Sequence, residues 1–205
     1  MRIIGGTAAG LILKAPKGFD VRPTPDLVRQ AIFNSLAGAP EGARVLELFG
    51  GTGALSLECL SRGAVTAVCV EKSAKHTGFI KGNAAFTGLG DRLQTRVQDV
   101  FLAISQLAQS GEMFDLILAD PPYGEKNVGR RSNSFAQQLL DNAHLPRLLA
   151  QDGLFVLGHT KRDELALVAP WLEKKTLRHG DTTIRILTLA APANSSPNAD
   201  APSSA

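Results

Sequence analysis

From about residue 43 onward, the apolar positions of the chain fall in short unbroken runs. Most runs end in or lead directly into a glycine or an acid, and each of the first five is followed by a stretch with helical spacing. The runs over 44–49, 65–70, 114–119 and 153–158, with a weaker and more polar one over 93–97, predict five strands. Because consecutive positions are apolar rather than alternating, these strands read as covered on both faces. The intervening stretches predict helices beginning at 54, 73, 100 and 134, the last over 134–142 with a further turn toward 149, and a helix over 163–172. The segments 174–178 and 182–189 are separated only by His179-Gly180-Asp181, and they predict a hairpin rather than another strand–helix–strand unit. Alternating strand and helix implies an α/β fold. The expected sheet has seven strands, mostly parallel, with helices on both faces and an antiparallel last strand.

The first part of the chain behaves differently. Residues 2–22 alternate apolar with polar or small positions and are punctuated by Gly5, Gly6, Gly10 and Gly18, which predicts a short β-hairpin arm. Thr24-Pro25-Asp26 has the form of a helix start, with Thr24 as N-cap and Pro25 at the first helical position. Leu27, Val28, Ala31, Ile32 and Leu36 continue with helical spacing up to Gly38. Residues 191–205 are rich in Ala, Pro, Ser and Asn without pattern, the composition of a disordered tail. The expected organisation is a hairpin arm over 1–23, one domain over 24–190 and the tail.

The remaining features narrow the class. A chain of 205 residues that is 44% hydrophobic and 20% charged is ordinary for one globular domain. No apolar run reaches the roughly 18 residues of a membrane span, and the first residues do not form a signal peptide, so no membrane association is expected. Cys59 and Cys69 are too few for a disulfide framework, which favours a reducing cytoplasmic location. His76, His144, His159 and His179 are scattered and no His/Cys cluster has metal-ligand spacing, so no metal is expected. The net charge of +3 is unevenly placed. Residues 1–35 hold Arg2, Lys14, Lys17, Arg22 and Arg29 against Asp20 and Asp26, and the rest of the chain is balanced. A basic patch on a neutral body suits a polyanion.

The most specific chemistry lies at the strand ends. Asp120-Pro121-Pro122-Tyr123 follows the fourth predicted strand. An aromatic amine is a poor nucleophile because its lone pair is delocalised. Acceptors placed in its plane take both N–H bonds and stabilise the positive charge that develops as a methyl group approaches. Asp120 is the candidate side-chain acceptor, the Pro121 carbonyl the second and Tyr123 the stacking surface for the base, with Pro122 a further candidate of the same catalytic string. Glu47, Glu71 and Asp99 fall at the ends of the first three predicted strands. With Asp120 they place four carboxylates where open α/β sheets bind ligands. Phe49-Gly50-Gly51-Thr52-Gly53 is a turn that lets backbone approach a ligand closely. It does not complete a dinucleotide fingerprint, because the third glycine position is Ser56, and Glu47 beside it would repel a diphosphate. These carboxylates suit the phosphate-free, cationic S-adenosylmethionine: Glu47 for its amino-acid end, Glu71 for the ribose diol and Asp99 for the adenine amine. Lys72 and Val100 sit beside them.

Beyond these motifs, the chain resembles the class I S-adenosylmethionine-dependent methyltransferases with a Rossmann-like fold, and within them the RsmD family. The stretches that carry the resemblance are 2–6, Arg22-Pro23-Thr24 with 28–34, 47–55, 61–64, Val70-Glu71, Asn83, 114–117, 120–123 and 179–182. The resemblance implies methylation of guanine N2 in 16S ribosomal RNA, within a 30S subunit or assembly intermediate, by a cytoplasmic monomer. Arg2, Lys14, Arg22, Thr24, Arg29 and Asn34 are then candidate RNA contacts. So are Lys126, Arg130 and Arg131 of the loop over 125–133. A DNA adenine-N6 methyltransferase shares the Asp-Pro-Pro-Tyr string, and a nucleic-acid-binding protein on an idle methyltransferase fold is the other alternative. Glu47 stands where the family often has Asp. Gly158-His159-Thr160 ends the fifth predicted strand where an acid is expected.

Overall fold

In the computed structural model, which describes residues 1–16, 25–123 and 131–190, the apolar runs assemble into one sheet. Its strands are β1 (Arg44–Leu48), β2 (Thr66–Glu71), β3 (Leu93–Val97), β4 (Phe114–Ala119), β5 (Leu149–Thr160), β6 (Trp171–His179) and β7 (Thr182–Leu189). They lie in the order β3-β2-β1-β4-β5-β7-β6. The first five are mutually parallel, and β7 runs antiparallel between β5 and β6. The order therefore reverses at β1, which is flanked by β2 on one side and β4 on the other. That reversal opens a cleft beyond the carboxyl ends of these two strands.

Helices α1 (Asp26–Leu36), α2 (Ala54–Ser61), α3 (Ala74–Thr87), α4 (Val100–Gln109) and α5 (Phe135–Asp141) cover both faces. On one face Val45, Leu116, Leu118 and Val156 pack with Ile32, Phe33, Leu57 and Leu60 of α1 and α2. On the other, Leu46, Leu48, Ile117 and Phe155 pack with Ile104 and Leu107 of α4 and Leu139 of α5. This two-sided burial explains the unbroken apolar runs. Each fully buried Leu or Ile side chain contributes about 1.5–3 kcal/mol.

The structure departs from the sequence expectation at three elements. α1 begins at Asp26, with Pro25 rather than Thr24 in the N-cap position. The Pro25 carbonyl accepts from Val28 N (2.9 Å) and Arg29 N (3.1 Å). Second, β5 starts at Leu149, not 153, because a bulge opposite Phe114–Leu116 absorbs the Asp152-Gly153 turn signal, with Asp152 at φ 62°. Third, no helix forms over 163–172. The Gln137 side chain on α5 donates to Ala166 O (3.0 Å) and accepts from Ala166 N (2.8 Å), satisfying the backbone without a helix. Pro170 would interrupt a helix there. Trp171 instead opens β6, donating from Nε1 to Leu140 O (3.1 Å), with its ring centroid 5.1 Å from that of Phe155.

The N-terminal segment folds back on itself through an antiparallel bridge between Arg2 and Ile12. It does not stand free of the body, since Ile3, Ala8 and Leu13 are buried in the core. The buried Glu58 carboxylate accepts from Ile4 N (2.7 Å) and Gly5 N (2.8 Å) and pairs with Arg62 (2.8 Å). At Gly6 the chain passes so close to α2 that a Cβ would lie 1.8 Å from Ser61 O. Among the described residues, no helix is long and apolar enough to cross a membrane.

Candidate active site

A cavity of about 530 Å³ occupies the cleft at the strand-order reversal. Its wall is built from strand ends. β1 supplies Phe49 and Gly51 through the turn that follows it. β2 ends in Glu71 and continues into Lys72 and Ser73. β3 leads to Asp99 and Val100, and β4 leads to the four residues 120–123. Three of the four expected carboxylates, Glu71, Asp99 and Asp120, therefore meet in one space.

Glu71 has its carboxylate fixed by backbone. One oxygen accepts from Gly51 N (2.8 Å) and the other from Ser73 N (2.7 Å), with His76 Nδ1 3.6 Å away. Each carboxylate oxygen has a second acceptor site left, which suits a vicinal diol. Gly51, at φ 55°, takes a left-handed backbone so that its N–H turns toward Glu71. Asp99 caps α4, accepting from Phe101 N (2.9 Å) through Oδ1, while Oδ2 stands 3.7 Å from the exposed Lys72 ammonium. Val100 is buried behind it.

Glu47 does not reach the cavity, which corrects the expectation that it meets the cofactor's amino-acid end. The side chain points to the α2 face of the sheet, where it is buried beneath the glycine turn. It accepts from Ser56 N (3.0 Å) and from Cys69 Sγ (3.3 Å). Burial raises its pKa to about 7. Gly50 and Gly53 likewise sit behind the lining. A Cβ at Gly50 would lie 2.3 Å from Cys69 Sγ, and one at Gly53 would lie 2.9 Å from Ile80. These two glycines let the turn pack down on β2 and α3, and Gly51 is the one that lines the cavity.

Asp120 and Tyr123 each have a neighbour that the sequence reading did not identify. A Cβ on Gly158 would lie 2.6 Å from Asp120 Oδ1. Position 158, near the end of β5, is therefore glycine because the Asp120 carboxylate occupies the space a side chain would fill, so no acid can stand there. Tyr123 is 43% exposed, and its hydroxyl lies 2.9 Å from Thr182 Oγ1 at the start of β7. The Lys161–Asp181 ion pair (2.9 Å) braces that turn. Replacing Thr182 with Val should remove the hydroxyl contact without altering the fold. The expected loss in kcat/KM is about fivefold, equivalent to one net hydrogen bond of about 1 kcal/mol. Steady-state kinetics and thermal unfolding measured together check this, and an unchanged kcat/KM would show that the ring needs no anchor.

Sequence reasoning also missed an aromatic wall. Phe135, at the start of α5, lies 5.5 Å from Phe49 and 6.1 Å from Phe101 by ring centroids, and all three line the cavity. The available signal was a Phe directly after the cap Ser134, on the helix that follows the Asp-Pro-Pro-Tyr turn. Among the described residues, three carboxylates and the rings of Phe49, Phe101, Tyr123 and Phe135, with Lys72 exposed and paired to Asp99, form a site for a phosphate-free nucleoside carrying positive charge. Among the described residues, no group of three or more His, Cys, Asp and Glu side chains could hold a metal ion.

The candidate RNA contacts separate. Arg2, Lys14, Asn34 and Arg131 are exposed. Arg2 lies 3.5 Å from Asp26 and Arg131 2.6 Å from Asp141. Arg29 is a correction: it is fully buried, paired with Asp26 (2.9 Å) and bonded to the Arg2 carbonyl, and burial lowers its pKa. It ties the N-terminal segment to α1 and cannot touch phosphate. Arg22, Thr24, Lys126 and Arg130 lie outside the described residues.

Comparison with known proteins agrees with this geometry. The chain is 33% identical over 165 residues to YlbH of Bacillus subtilis, covering 80% of this chain and 85% of that one. It is 37% identical over 123 residues to the ribosomal RNA small subunit methyltransferase D of Escherichia coli K12, covering 60% of each. The solved structure of Escherichia coli yhhF superposes with a TM-score of 0.73 at 30% identity, over 94% of this chain and 99% of that one. The family described as Conserved hypothetical protein 95 matches residues 1–188, and the chain belongs to it, the RsmD family of methyltransferases.

Proposed function

We propose that this protein methylates the exocyclic N2 of a guanine in 16S ribosomal RNA, using S-adenosylmethionine. The observation that carries the reading is the meeting of Asp120-Pro121-Pro122-Tyr123 with Glu71 and Asp99 in one cavity. The name of the Escherichia coli relative supports ribosomal RNA of the small subunit as the substrate.

The chain's own residues perform binding, orientation and charge stabilisation. Glu71, with both oxygens already fixed by backbone N–H groups, receives the ribose hydroxyls. Asp99 and the rings of Phe49, Phe101 and Phe135 enclose the adenine. When bound, S-adenosylmethionine supplies an activated methyl group on a cationic sulfur that leaves as a neutral thioether. Asp120 and the Pro121 carbonyl accept the two N–H bonds of the guanine amine, and the Tyr123 ring stacks on the base. As the C–N bond forms, positive charge gathers on that nitrogen, and Asp120 stabilises it. The nitrogen then loses its extra proton to Asp120 or to water. Orientation supplies most of the remaining rate gain. Arg2 and Lys14 contact phosphates; such contacts position the RNA without reading its sequence.

The test is to incubate the purified protein with radiolabelled S-adenosylmethionine and, separately, 30S particles from a methylation-deficient strain, naked 16S RNA and duplex DNA. The modified nucleoside is then identified by mass spectrometry. N2-methylguanosine from the particles or the RNA is the expected product. N6-methyladenine in the DNA would replace this reading with the DNA one. Cofactor binding without transfer to any substrate would point to an idle fold.

A further inference from the structure

The outward side of α3 carries a surface that the methyl-transfer site does not use. α3 buries Thr77, Ile80, Asn83 and Ala84 against the body. A different stripe, Lys75, Gly78, Phe79, Gly82 and Phe86, follows the three- and four-residue spacing of a single helical face. Together with Ile12 and Lys14 of the N-terminal segment it lines a groove of about 400 Å³. Phe86 is 59% exposed and Ile12 70%. A Cβ at Gly78 or Gly82 would meet nothing within 4 Å. Packing therefore does not require either glycine, yet glycine weakens a helix interior relative to almost any other residue. What the two glycines do is keep the floor between the aromatic walls flat.

The chemistry of the rim favours an anion. Among the described residues no carboxylate lines the groove, while Lys14 and Lys75 do. α3 contains no acidic residue along its length. Lys14 is held in place by its backbone, since the Asn83 side chain accepts from Lys14 N (2.8 Å) and donates to Lys14 O (2.9 Å) and Thr52 O (3.0 Å). The groove starts at the same helix end as the methyl-transfer cavity, because Ser73 and His76 line the cavity and Lys75 lines the groove. Flat floor, aromatic walls and two cationic rims are the combination that single-stranded nucleic acid uses, with bases stacking on rings and phosphates meeting lysines.

We infer that the α3 groove binds an unpaired nucleotide of the substrate RNA. Its base lies over Gly78 and Gly82 against Phe86 and Phe79, and its phosphates meet Lys14 and Lys75. This rests on the ribosomal RNA reading above.

Two variants test it. Phe86→Ala removes a wall, and Gly82→Leu fills the floor while removing a helix-interior glycine, so its thermal midpoint should equal or exceed that of the parent protein. Binding is read by fluorescence anisotropy with a fluorescein-labelled single-stranded RNA oligonucleotide of mixed sequence. Loss of one stacked base is expected to weaken binding by about 5- to 150-fold in both variants. Calorimetric binding of S-adenosylmethionine should stay unchanged. Parent-like RNA affinity in both variants would overturn the inference. So would crosslinks from a photoreactive residue at position 86 to protein rather than RNA in 30S particles. Should the methylated nucleoside prove other than N2-methylguanosine while both variants still lose RNA affinity, the groove stands and only the proposed reaction falls. Absence of RNA binding by the parent protein would remove both.

Discussion

Replacing Asp120 with Asn should lower kcat by about 10²–10³-fold, the loss typical of removing one group aimed at transition-state charge. Asn keeps the size and planarity of the side chain, but it brings N–H donors toward an amine that needs acceptors, and it carries no charge to stabilise the cationic nitrogen. Cofactor binding should survive, because Glu71 and the aromatic wall remain in place. Single-turnover transfer to 16S RNA, beside calorimetric titration with S-adenosylmethionine, separates the two effects. Equal losses of binding and rate would mean that Asp120 serves the cofactor rather than the amine. Gly158→Ala provides the companion measurement. Its added Cβ would lie 2.6 Å from Asp120 Oδ1, so the carboxylate must shift without changing its chemistry. Because a misplacement of about 1 Å can cost 10²-fold, a loss in kcat approaching that of the Asn variant is expected. A parent-like rate in Gly158→Ala would show that the position of Asp120 is not critical.

The contrast between these two residues shows what sequence could reveal. Asp120 was legible because an acid-Pro-Pro-aromatic string at a strand end has few structural uses. Gly158 was not, because its role depends on β4 and β5 lying side by side in a given register, with Ala119 opposite Leu157. The parallel sheet itself could be read from uninterrupted apolar runs, since strands buried on both faces need no polar side. That same property hid the direction of Glu47. In β1 every position after Arg44 is buried, so no polar alternation indicates which face Glu47 takes. Its neighbours decide: Val45 packs toward α2 and Leu46 toward α4, which places Glu47 on the α2 side. Arg29 was misread for a related reason. Its charge suggested an outer surface, but it lies three residues after Asp26 on α1 and shares that helix's inward stripe with Val28, Ile32 and Phe33. The helix expected over 163–172 fails partly on a local signal, Pro170, and partly on a distant partner, the Gln137 side chain.

The buried Glu47 gives the second large effect, in stability rather than rate. Its pKa is about 7 in the folded protein, against an ordinary value of 4.5. Folding therefore holds a proton that the unfolded chain releases between these two values. A group whose folded pKa is raised stabilises the fold fully below its unfolded pKa, and that contribution is lost as pH rises through its folded pKa. Between about pH 4.5 and pH 7 the loss amounts to about 3 kcal/mol, at 1.36 kcal/mol per pKa unit. Glu47→Gln keeps an acceptor for Ser56 N and Cys69 Sγ but cannot titrate, so its stability should not carry this slope. Denaturant unfolding of both proteins at several pH values from 4.5 to 8 isolates the effect, because the other carboxylates cancel in the difference. Unfolding free energy of the parent protein relative to Glu47→Gln should fall by that amount across the window. Parallel curves would mean that Glu47 is ionised throughout, its charge carried by the Ser56 N–H and the α2 N-terminus. The residue would then act as a fixed negative charge beneath the glycine turn rather than as a buried neutral acid.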